Sequence, residues 1–574
     1  MIQYYFILIS CNLLLYFLIK MSNLFNIKTE SILVFLAFRV TLNIIIYSIF
    51  YYILDTYIIS IKFLTYIQFF VIPSSILYFL LNFLKTKTNF NENKTSKAFI
   101  KNNDFIKDNN NHVTVKTKQG DILINNSFTH FLGVAGTRSG KTKSLGWQIL
   151  RNYLTNSFVG FVYDAKTLDY TKIVYYFKYV LNYPYNVYRL VFDRPELSHR
   201  TNIVEPKIIK RYNLLAEVIR EIAIGISEDD SKKDEWFMAG IGIVQAVAVR
   251  MFYDYPKICT IGHVANFIIY NDYETLLNFI EKRREARPYA DELFKSRDTK
   301  KTADNIMWSA TQILKPIATN KNVCYVLGGD DFDFNLINPK NPKVICVCND
   351  NENNTLLNGL IGSMVNILAK QINFGNRQNT FFFMDEGTTF KIPNFAYLVG
   401  LLGEYCVSFT FLTQSLSKII EVYKPAATTS IVSNFNNYFL GRTNVAKDAK
   451  DYAELFGRIE KTKVTRSEGR SSSSRNSSTS SGKSKTEQKD FLFEPDHFTS
   501  QTQGQFTCSF LDGNYKKGSF MLKMENIPSS ELENIIKPLK NNIDRIVQDF
   551  FDEMIDKVIS LGKQYKPKDD DEET

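Results

Sequence analysis

An eight-residue segment, 135–142, has the composition of a loop that binds phosphate groups. It reads AGTRSGKT, and it joins an apolar predicted strand, 128–134, to a helical pattern that continues to Tyr153. Backbone N–H groups in such a loop point toward phosphate oxygens, and the start of the helix adds partial positive charge. The sequence therefore predicts a nucleotide-binding loop made of Ala135, Gly136, Thr137, Arg138, Ser139, Gly140, Lys141 and Thr142.

The end of this loop has the most specific expected roles. Lys141 is expected to reach the β- and γ-phosphates, and the Thr142 hydroxyl is expected to bind Mg²⁺. Gly140 fits because a side chain there would block the close approach of the backbone. The strict pattern has Gly at the position of Ala135, and GKT segments also occur in loops that bind no nucleotide.

A second candidate is the acid pair Asp385–Glu386, which directly follows four bulky apolar residues, 381–384. A buried strand that ends in acids is the expected second half of a nucleotide site. Asp385 would then bind the Mg²⁺ shell, and Glu386 would polarise the attacking water. The alternative is an exposed pair of acids at a strand end, which is common in any α/β protein.

A third candidate is Gln414, at the end of the predicted strand 407–413. A carboxamide there could contact the γ-phosphate or the attacking water and report hydrolysis. A surface amide at the start of a helix is the alternative interpretation.

The elements that must position these residues alternate between strand and helix. Apolar strands are predicted at 159–163, 344–347, 380–384, 407–413 and 437–441, which indicates a parallel sheet covered on both faces. Between residues 206 and 320 the apolar period is helical. We therefore predict an α/β nucleotide-binding domain in two parts, 112–205 and 321–465, with an all-α domain, 206–320, inserted between them.

Composition predicts the structure of the remaining segments. Residues 85–111 are predicted to be a solvated linker, and 113–124 a hairpin around Gly120. A Ser-rich tract, 466–487, is predicted to be a disordered loop. C-terminal strands and a helix are expected over 488–560, followed by an acidic tail, 561–574.

The first 84 residues are predicted to anchor the chain in a membrane. Three apolar runs, Ile2–Ile19, Ile32–Leu54 and Phe63–Leu84, are each about long enough to cross ~30 Å of hydrocarbon as a helix. A cleaved signal peptide fits poorly because no positive segment precedes the first run. Two or three spans would both place the soluble part in the cytoplasm, since lysines follow the third run.

Composition excludes several other classes of protein. The chain has 574 residues, 45% of them hydrophobic, so wholesale disorder is excluded. Seven scattered cysteines and five histidines make a disulfide scaffold and a zinc finger improbable. The net charge of +10 favours an anionic partner only weakly, because it is spread over a long chain.

With these pieces in order, the chain resembles the coupling proteins of conjugative type IV secretion systems. The matching stretches are GVAGTRSGKTKS, FVYDAKTLDY, FLFEPDHF and the long block from FFFMDEGTTF to FLTQSLSKIIEVY. The resemblance implies a RecA-like P-loop ATPase domain that uses ATP and Mg²⁺, and a homohexameric ring anchored in the inner membrane. It further implies a single-stranded DNA substrate with an attached relaxase, passed to the secretion channel proteins. Seven residues carry over by position: Gly136, Gly140, Lys141, Thr142, Asp385, Glu386 and Gln414.

One departure from the family concerns the arginine finger. Several members have a basic residue just before the strand that ends in Gln-Ser, where this chain has residues 403–406, GEYC. Arg442, at the end of the next strand, is the substitute that we predict to act in the neighbouring subunit. An ordinary strand-end arginine in a surface ion pair is the alternative.

The sequence supports DNA as cargo only weakly. A basic cluster at 282–301 is interleaved with acids, so a solvated helix face with ion pairs is at least as good an interpretation. Tyr289 and Trp308 are expected to be core residues rather than base-stacking platforms. Two other functions stay open: a septal translocase of double-stranded DNA, and an adaptor that recruits protein effectors without pumping DNA.

Overall fold

A computed structural model describes residues 99–108, 112–165, 168–227, 234–349, 354–473 and 476–567. These residues belong to one compact unit, Lys97–Thr574. The predicted membrane anchor, 1–84, lies outside the described residues, as do the first part of the linker and the last residues of the acidic tail.

The strands are numbered in chain order. They are β1 (Phe99–Lys101), β2 (Val113–Val115), β3 (Ile122–Ile124), β4 (Phe131–Val134), β5 (Val159–Asp164), β6 (Asn186–Val191), β7 (Lys343–Cys348), β8 (Thr380–Met384), β9 (Val407–Thr413), β10 (Asn437–Leu440), β11 (Arg458–Ser473), β12 (Asn476–Phe491), β13 (Gln505–Ser509) and β14 (Tyr515–Met521).

The α-helices are numbered in the same way, and a π-helical turn, Lys141–Gly146, leads into the first. They are α1 (Trp147–Thr155), α2 (Asp169–Tyr179), α3 (Pro206–Ile209), α4 (Tyr212–Ile226), α5 (Glu235–Asp254), α6 (Ile261–Tyr270), α7 (Tyr273–Glu281), α8 (Asp291–Lys295), α9 (Lys300–Ala318), α10 (Lys321–Val326), α11 (Asn354–Lys370), α12 (Phe395–Leu401), α13 (Leu416–Asn434), α14 (Ala446–Phe456), α15 (Pro495–Thr499), α16 (Ser529–Glu533) and α17 (Ile543–Lys563).

The centre of the unit is a ten-stranded sheet in the order β1-β14-β13-β10-β4-β9-β8-β5-β7-β6. The seven strands from β10 to β6 are parallel, and β13, β14 and β1 continue the sheet as antiparallel strands. The predicted strands 380–384 and 407–413 are confirmed residue for residue as β8 and β9. The sheet is therefore mixed: the predicted parallel part extends from β10 to the edge strand β6, and the antiparallel strands form the other edge.

Helices cover both faces of this sheet, as its uninterrupted apolar strands require. Along β8, Phe381 and Phe383 join the hydrophobic core on one face, whereas Phe382 and Met384 join the core on the other. This alternation follows from the two-residue period of a strand. A strand that is apolar at every position can be stable only when neither of its faces meets water.

An all-α part, α3–α10, occupies the chain between β6 and β7. The C-terminal helix α17 packs on it: Met554 and Val558 are buried, and the Asn271 side chain donates to the Val558 carbonyl. The C-terminal helix thus joins the inserted helices rather than the C-terminal strands, which differs from the grouping over 488–560 predicted above. It also runs to Lys563, beyond the predicted end at 560.

Among the described helices, α5 alone is long and apolar enough to cross a membrane. Most of this helix is buried among the other helices of the all-α part. Packing against the neighbouring helices therefore explains why α5 is so apolar.

Two local predictions need correction, and one strand was not predicted. Phe99–Lys101, in the predicted linker, forms β1 and pairs with β14 at the sheet edge. The Ser-rich tract forms β11 and β12, paired from Arg458↔Phe491 to Ser473↔Asn476, rather than a disordered loop. Three residues are too short for the alternation of β1 to be recognised, and the Ser-rich tract lacks apolar residues, but ladder hydrogen bonds use the backbone and need no buried side chain. The edge strand β6 was not predicted either.

Candidate nucleotide-binding site

Three neighbouring parallel strands bring the predicted site together. In the sheet β9 lies between β4 and β8, and all three run in the same direction. The loop 135–140 follows β4, Gln414 follows β9, and Asp385–Glu386 follow β8. Because carboxyl ends of parallel strands meet at one sheet edge, segments that are far apart in the sequence lie side by side.

The loop 135–140 is tied to its neighbours through backbone hydrogen bonds. Ala135 N–H donates to the Thr413 carbonyl at 3.1 Å, and Gly136 N–H donates to the Arg442 carbonyl at 2.9 Å. Gly140 has φ of 91°, a conformation that glycine adopts at little cost. The first N–H groups of the helix that begins at Lys141 have no partner within that helix, so they are available to an anion.

A C-terminal segment supports this loop from the side, a contact that the sequence did not reveal. Gly504 N–H donates to the Ser139 carbonyl at 2.7 Å. A Cβ placed on Gly140 would lie 3.1 Å from the Gly504 nitrogen. In a trans peptide the N–H points opposite to the C=O, so the Gly140 N–H points away from Gly504. The contact thus fixes the loop without filling the side where its N–H groups converge.

Lys141 and Glu386 form a buried ion pair at the centre of the site. The Lys141 Nζ lies 2.7 Å from Glu386 Oε1, and the two side chains are 6% and 8% exposed. Glu386 has φ of 49°, a left-handed conformation that turns the chain sharply after β8. A buried charge is stable only when paired, so each of these groups holds the other in place.

Asp385 and Thr142 both lie beside Tyr170, a buried residue of α2. Burial raises the pKa of the Tyr170 phenol well above its ordinary value, the Asp385 charge raises it further, and the Thr142 side chain lowers it in part. A Cβ on Gly146 would lie only 2.3 Å from the Tyr170 hydroxyl. The phenol therefore sits in the bend of the π-helical turn, next to both predicted metal ligands.

A further acid, Asp164, lies at this edge and was not predicted as a site residue. Its carboxylate accepts hydrogen bonds from the N–H groups of Tyr170 and Thr171, both at 2.9 Å. Burial raises the pKa of Asp164 to about 7, and the nearby Asp385 adds to the shift. The signal was present in the sequence, since Asp164 ends an apolar strand as Asp385 does. Its role is to hold the start of α2, and so Tyr170, against the site.

The other two predicted residues lie at the rim of the site. The Gln414 Oε1 accepts a hydrogen bond from Lys418 Nζ at 3.1 Å. Arg442 follows β10, and its side chain is exposed while its carbonyl supports Gly136. The structure thus brings Lys141, Glu386, Asp385 and Thr142 together, and it leaves the Gln414 and Arg442 side chains outside the buried pair.

The donor set fits Mg²⁺ held together with phosphate. The described residues contain no group of three or more His, Cys, Asp or Glu side chains that could hold a metal alone. Mg²⁺ usually keeps several waters and takes one or two protein ligands plus phosphate oxygens. The hydroxyl of Thr142 and the carboxylate of Asp385 meet that requirement.

Comparison with known proteins is consistent with this geometry. Residues 86–503 match the family model described as "Type IV secretory system Conjugative DNA transfer". The chain belongs to this conjugative DNA-transfer family. Among curated protein sequences, none matches the chain.

Solved structures show the same fold. The bacterial conjugative coupling protein TrwBdeltaN70, in an unbound form, is similar with a TM-score of 0.55 and 14% identity, over 72% of this chain and 89% of that chain. The plasmid coupling protein TrwB in complex with ADP and Mg²⁺ has a TM-score of 0.53 and 14% identity, over 70% and 86%. TrwB with a non-hydrolysable ATP analogue gives 0.52 and 15%, over 70% and 86%.

Proposed function

We propose that this protein is a membrane-anchored ATPase that couples ATP hydrolysis to the transfer of DNA into a type IV secretion channel. Its cargo would be single-stranded DNA with an attached relaxase. The observation that carries the proposal is the buried Lys141–Glu386 pair between the loop 135–142 and the end of β8. A lysine that contacts phosphate and an acid that activates water must both reach the same γ-phosphate for one nucleotide to use both, and side chains that touch one another meet that condition.

The chain's own residues would act in a defined order. Lys141 is held by Glu386 before nucleotide arrives, so binding must move the ammonium from the carboxylate to the β- and γ-phosphates. This exchange frees Glu386 to accept a proton from the attacking water. Thr142 and Asp385 would hold Mg²⁺, which neutralises phosphate charge when bound. The nucleotide's arrival is thus coupled to the unmasking of the general base.

Assembly into a homohexamer would complete the site. Arg442 is exposed at the same sheet edge, and a neighbouring subunit's nucleotide is the target that we propose for it. Gln414, on the strand between the loop and the acids, would change partner from Lys418 to the γ-phosphate or its water. Residues 1–84 would anchor the ring in the inner membrane, with the described unit in the cytoplasm.

The general-base assignment is tested with Glu386→Gln in the full-length protein in detergent. We expect hydrolysis to fall about 100-fold or more. ATP binding should be retained or tightened, because the substitution releases Lys141 from its ion pair. Glu421→Gln, an exposed acid on α13, is the matched control. Near-normal turnover of the Glu386→Gln protein would refute the assignment.

DNA transfer is tested by the response of hydrolysis to single-stranded DNA. We expect the full-length protein to bind an oligothymidine and to hydrolyse ATP faster in its presence. Intact hydrolysis with no DNA binding and no stimulation would favour the adaptor function instead. Stimulation by double-stranded DNA alone would favour the septal type of translocase.

A further inference from the structure

The chain has three tryptophans, and the two in the all-α part, Trp236 and Trp308, are more exposed than Trp147. Trp147, at the start of α1, is 6% exposed, whereas Trp308 on α9 is 67% exposed. Trp308 was predicted to be a core residue, and this prediction is wrong. An indole left in water forgoes about 2–3 kcal/mol of burial free energy, and its flat face is open to stacking with an unpaired base.

Trp308 stands on a rigid support. The opposite face of α9 is buried through Ile306, Ala310 and Ile313. The α5 backbone approaches so closely that a Cβ on Gly240 would lie 2.8 Å from the Ala310 nitrogen. The backbone beneath the indole is therefore fixed, and the ring is presented to solvent in a restricted position.

The exposed face of α9 forms a stripe centred on this residue. Five exposed side chains recur at helical spacing of three and four, so they share one face. At 1.5 Å per residue the stripe is about 21 Å long. We call it the α9 stripe; it consists of Lys301, Asn305, Trp308, Gln312 and Lys315.

This face carries a net positive charge. Lys300, Lys301 and Lys315 are exposed with Asp304 as the only acid on the exposed face of α9. Within the part of the chain that the structure describes, none of the three lysines makes an ion pair. The first turn of α9 also carries lysines and no acid, against the preference of the helix dipole. Bound phosphates would offset both unfavourable terms.

Part of the basic cluster 282–301 is already neutralised by ion pairs. Arg283 pairs with Asp254, and Arg287 and Lys295 both pair with Asp291. These cations already have partners within the fold, as the interleaved acids in the sequence suggested. Lys300 and Lys301, the last two members of the cluster, begin α9 and make no ion pair among the described residues, as is also true of the exposed Lys282 and Arg284.

We propose that the α9 stripe binds single-stranded DNA, with an unpaired base stacked on Trp308 and phosphates on Lys301 and Lys315. The inference rests on the proposed function in DNA transfer. Base stacking requires a single strand, because the bases of a duplex are already stacked on one another. A single aromatic ring flanked by amides and lysines also lacks the contiguous apolar area of a protein-docking surface.

The test measures binding of a fluorescein-labelled oligothymidine to the full-length protein by anisotropy. We expect Trp308→Ala to weaken binding about 5- to 150-fold, as loss of one stacked base does. Trp308→Phe should retain most of the affinity, since a phenyl ring still stacks. Lys301→Ala and Lys315→Ala should each reduce the slope of log affinity against log salt by about 0.7.

The matched control is Trp236→Ala. Trp236 is 40% exposed at the start of α5, but its neighbours Asp234 and Glu235 are acidic. We expect this variant to bind the oligonucleotide like the unsubstituted protein. Basal hydrolysis without DNA should be unchanged in every variant, because none of the substituted residues belongs to the loop 135–142 or the acid pair.

The outcomes separate the inference from the proposed function. Undiminished binding by a folded Trp308→Ala protein would overturn the α9 stripe while leaving DNA transfer intact. A Trp308→Ala protein that changes oligomeric mass but not DNA affinity would also overturn it, since Trp308 would then be a contact between subunits. Failure of the unsubstituted protein to bind the oligonucleotide would overturn both.

Discussion

The sheet edge that carries Lys141 and the α9 stripe use charge in opposite ways. At the sheet edge Lys141, Glu386, Asp385 and Asp164 are all buried, and the backbone around them is held by contacts from distant segments. On α9 the lysines are exposed and without an ionic partner among the described residues. Chemistry needs fixed groups in low dielectric, whereas recognition of a moving polyanion needs a field that acts at the surface.

The difference has consequences for stability. A buried charge that loses its partner is costly, because water cannot replace that partner. An exposed charge is already solvated, and its removal changes the free energy of unfolding little. Substitutions at the sheet edge should therefore alter both folding and activity, and substitutions on α9 should alter only binding.

The largest expected effect is that of Lys141→Ala. We expect hydrolysis to be abolished and the free energy of unfolding to fall by ~3 kcal/mol, because Glu386 is left buried without its cation. Chemical denaturation and a phosphate-release assay measure the two effects. In the double variant with Glu386→Gln, part of the lost stability should return. Unchanged stability in the single variant would mean that the pair is not buried in solution.

Protonation of buried histidines should destabilise both the sheet and the all-α part on acidification. Burial lowers the pKa of His130, beside β4, and of His263, in the all-α part, to about 4, and that of His199 likewise. The unfolded chain then binds more protons below pH 6.5, so stability falls as pH drops from 6.5 toward 4. At pH 5 the loss should be about 1–2 kcal/mol per histidine. Protonation of Asp164, whose pKa is raised to about 7, acts in the opposite direction, so the test compares His263→Gln with the unsubstituted protein, which share the Asp164 contribution. The same pH dependence of Tm between pH 7.5 and 5 in both proteins would contradict the assignment.

Salt should weaken DNA binding by the α9 stripe far more than it weakens the ion pair at the sheet edge. If about three phosphates contact the α9 stripe and its surroundings, raising salt from about 50 to 200 mM should weaken single-stranded DNA binding roughly 10- to 20-fold. Stability of the buried Lys141–Glu386 pair should change little over the same range, because salt screens buried pairs weakly. The control is the double variant Lys301→Ala/Lys315→Ala. If salt weakens its oligothymidine binding as much as that of the unsubstituted protein, the α9 lysines do not contact phosphates.

The smallest expected effect compares two glycines that both have a positive φ. Gly140 and Gly457 have φ of 91° and 79°, but only Gly140 has close neighbours, since a Cβ on Gly457 meets nothing within 4 Å. Gly140→Ala should cost ~1 kcal/mol of stability for the left-handed conformation, and Gly457→Ala should cost more, because a ψ of −170° at positive φ is a conformation that essentially only glycine adopts. Only Gly140→Ala should also weaken nucleotide binding, measured by calorimetry. Equal nucleotide affinity of the two variants would show that the contact with Gly504 does not shape the loop.

The sequence alone determined the elements whose signal is local. The loop 135–142, the strands β8 and β9, and the acids that follow β8 could be predicted, because a buried strand must be apolar and a phosphate loop must be small and flexible. The long helices of the all-α part were predicted for the same reason, since their apolar period is visible within one segment. The membrane anchor stays a prediction of this kind.

Only the tertiary structure decided which distant segments meet. The support of the loop by Gly504, the packing of α17 on the all-α part and the pairing of β1 with β14 each join residues hundreds of positions apart. The exposure of Trp308 was decided in the same way, since a helix places any residue on some face and the neighbours α5 and α6 determine which face is covered. The local sequence indicates which chemistry a residue offers, whereas the burial and the partners of that residue depend on contacts between distant segments.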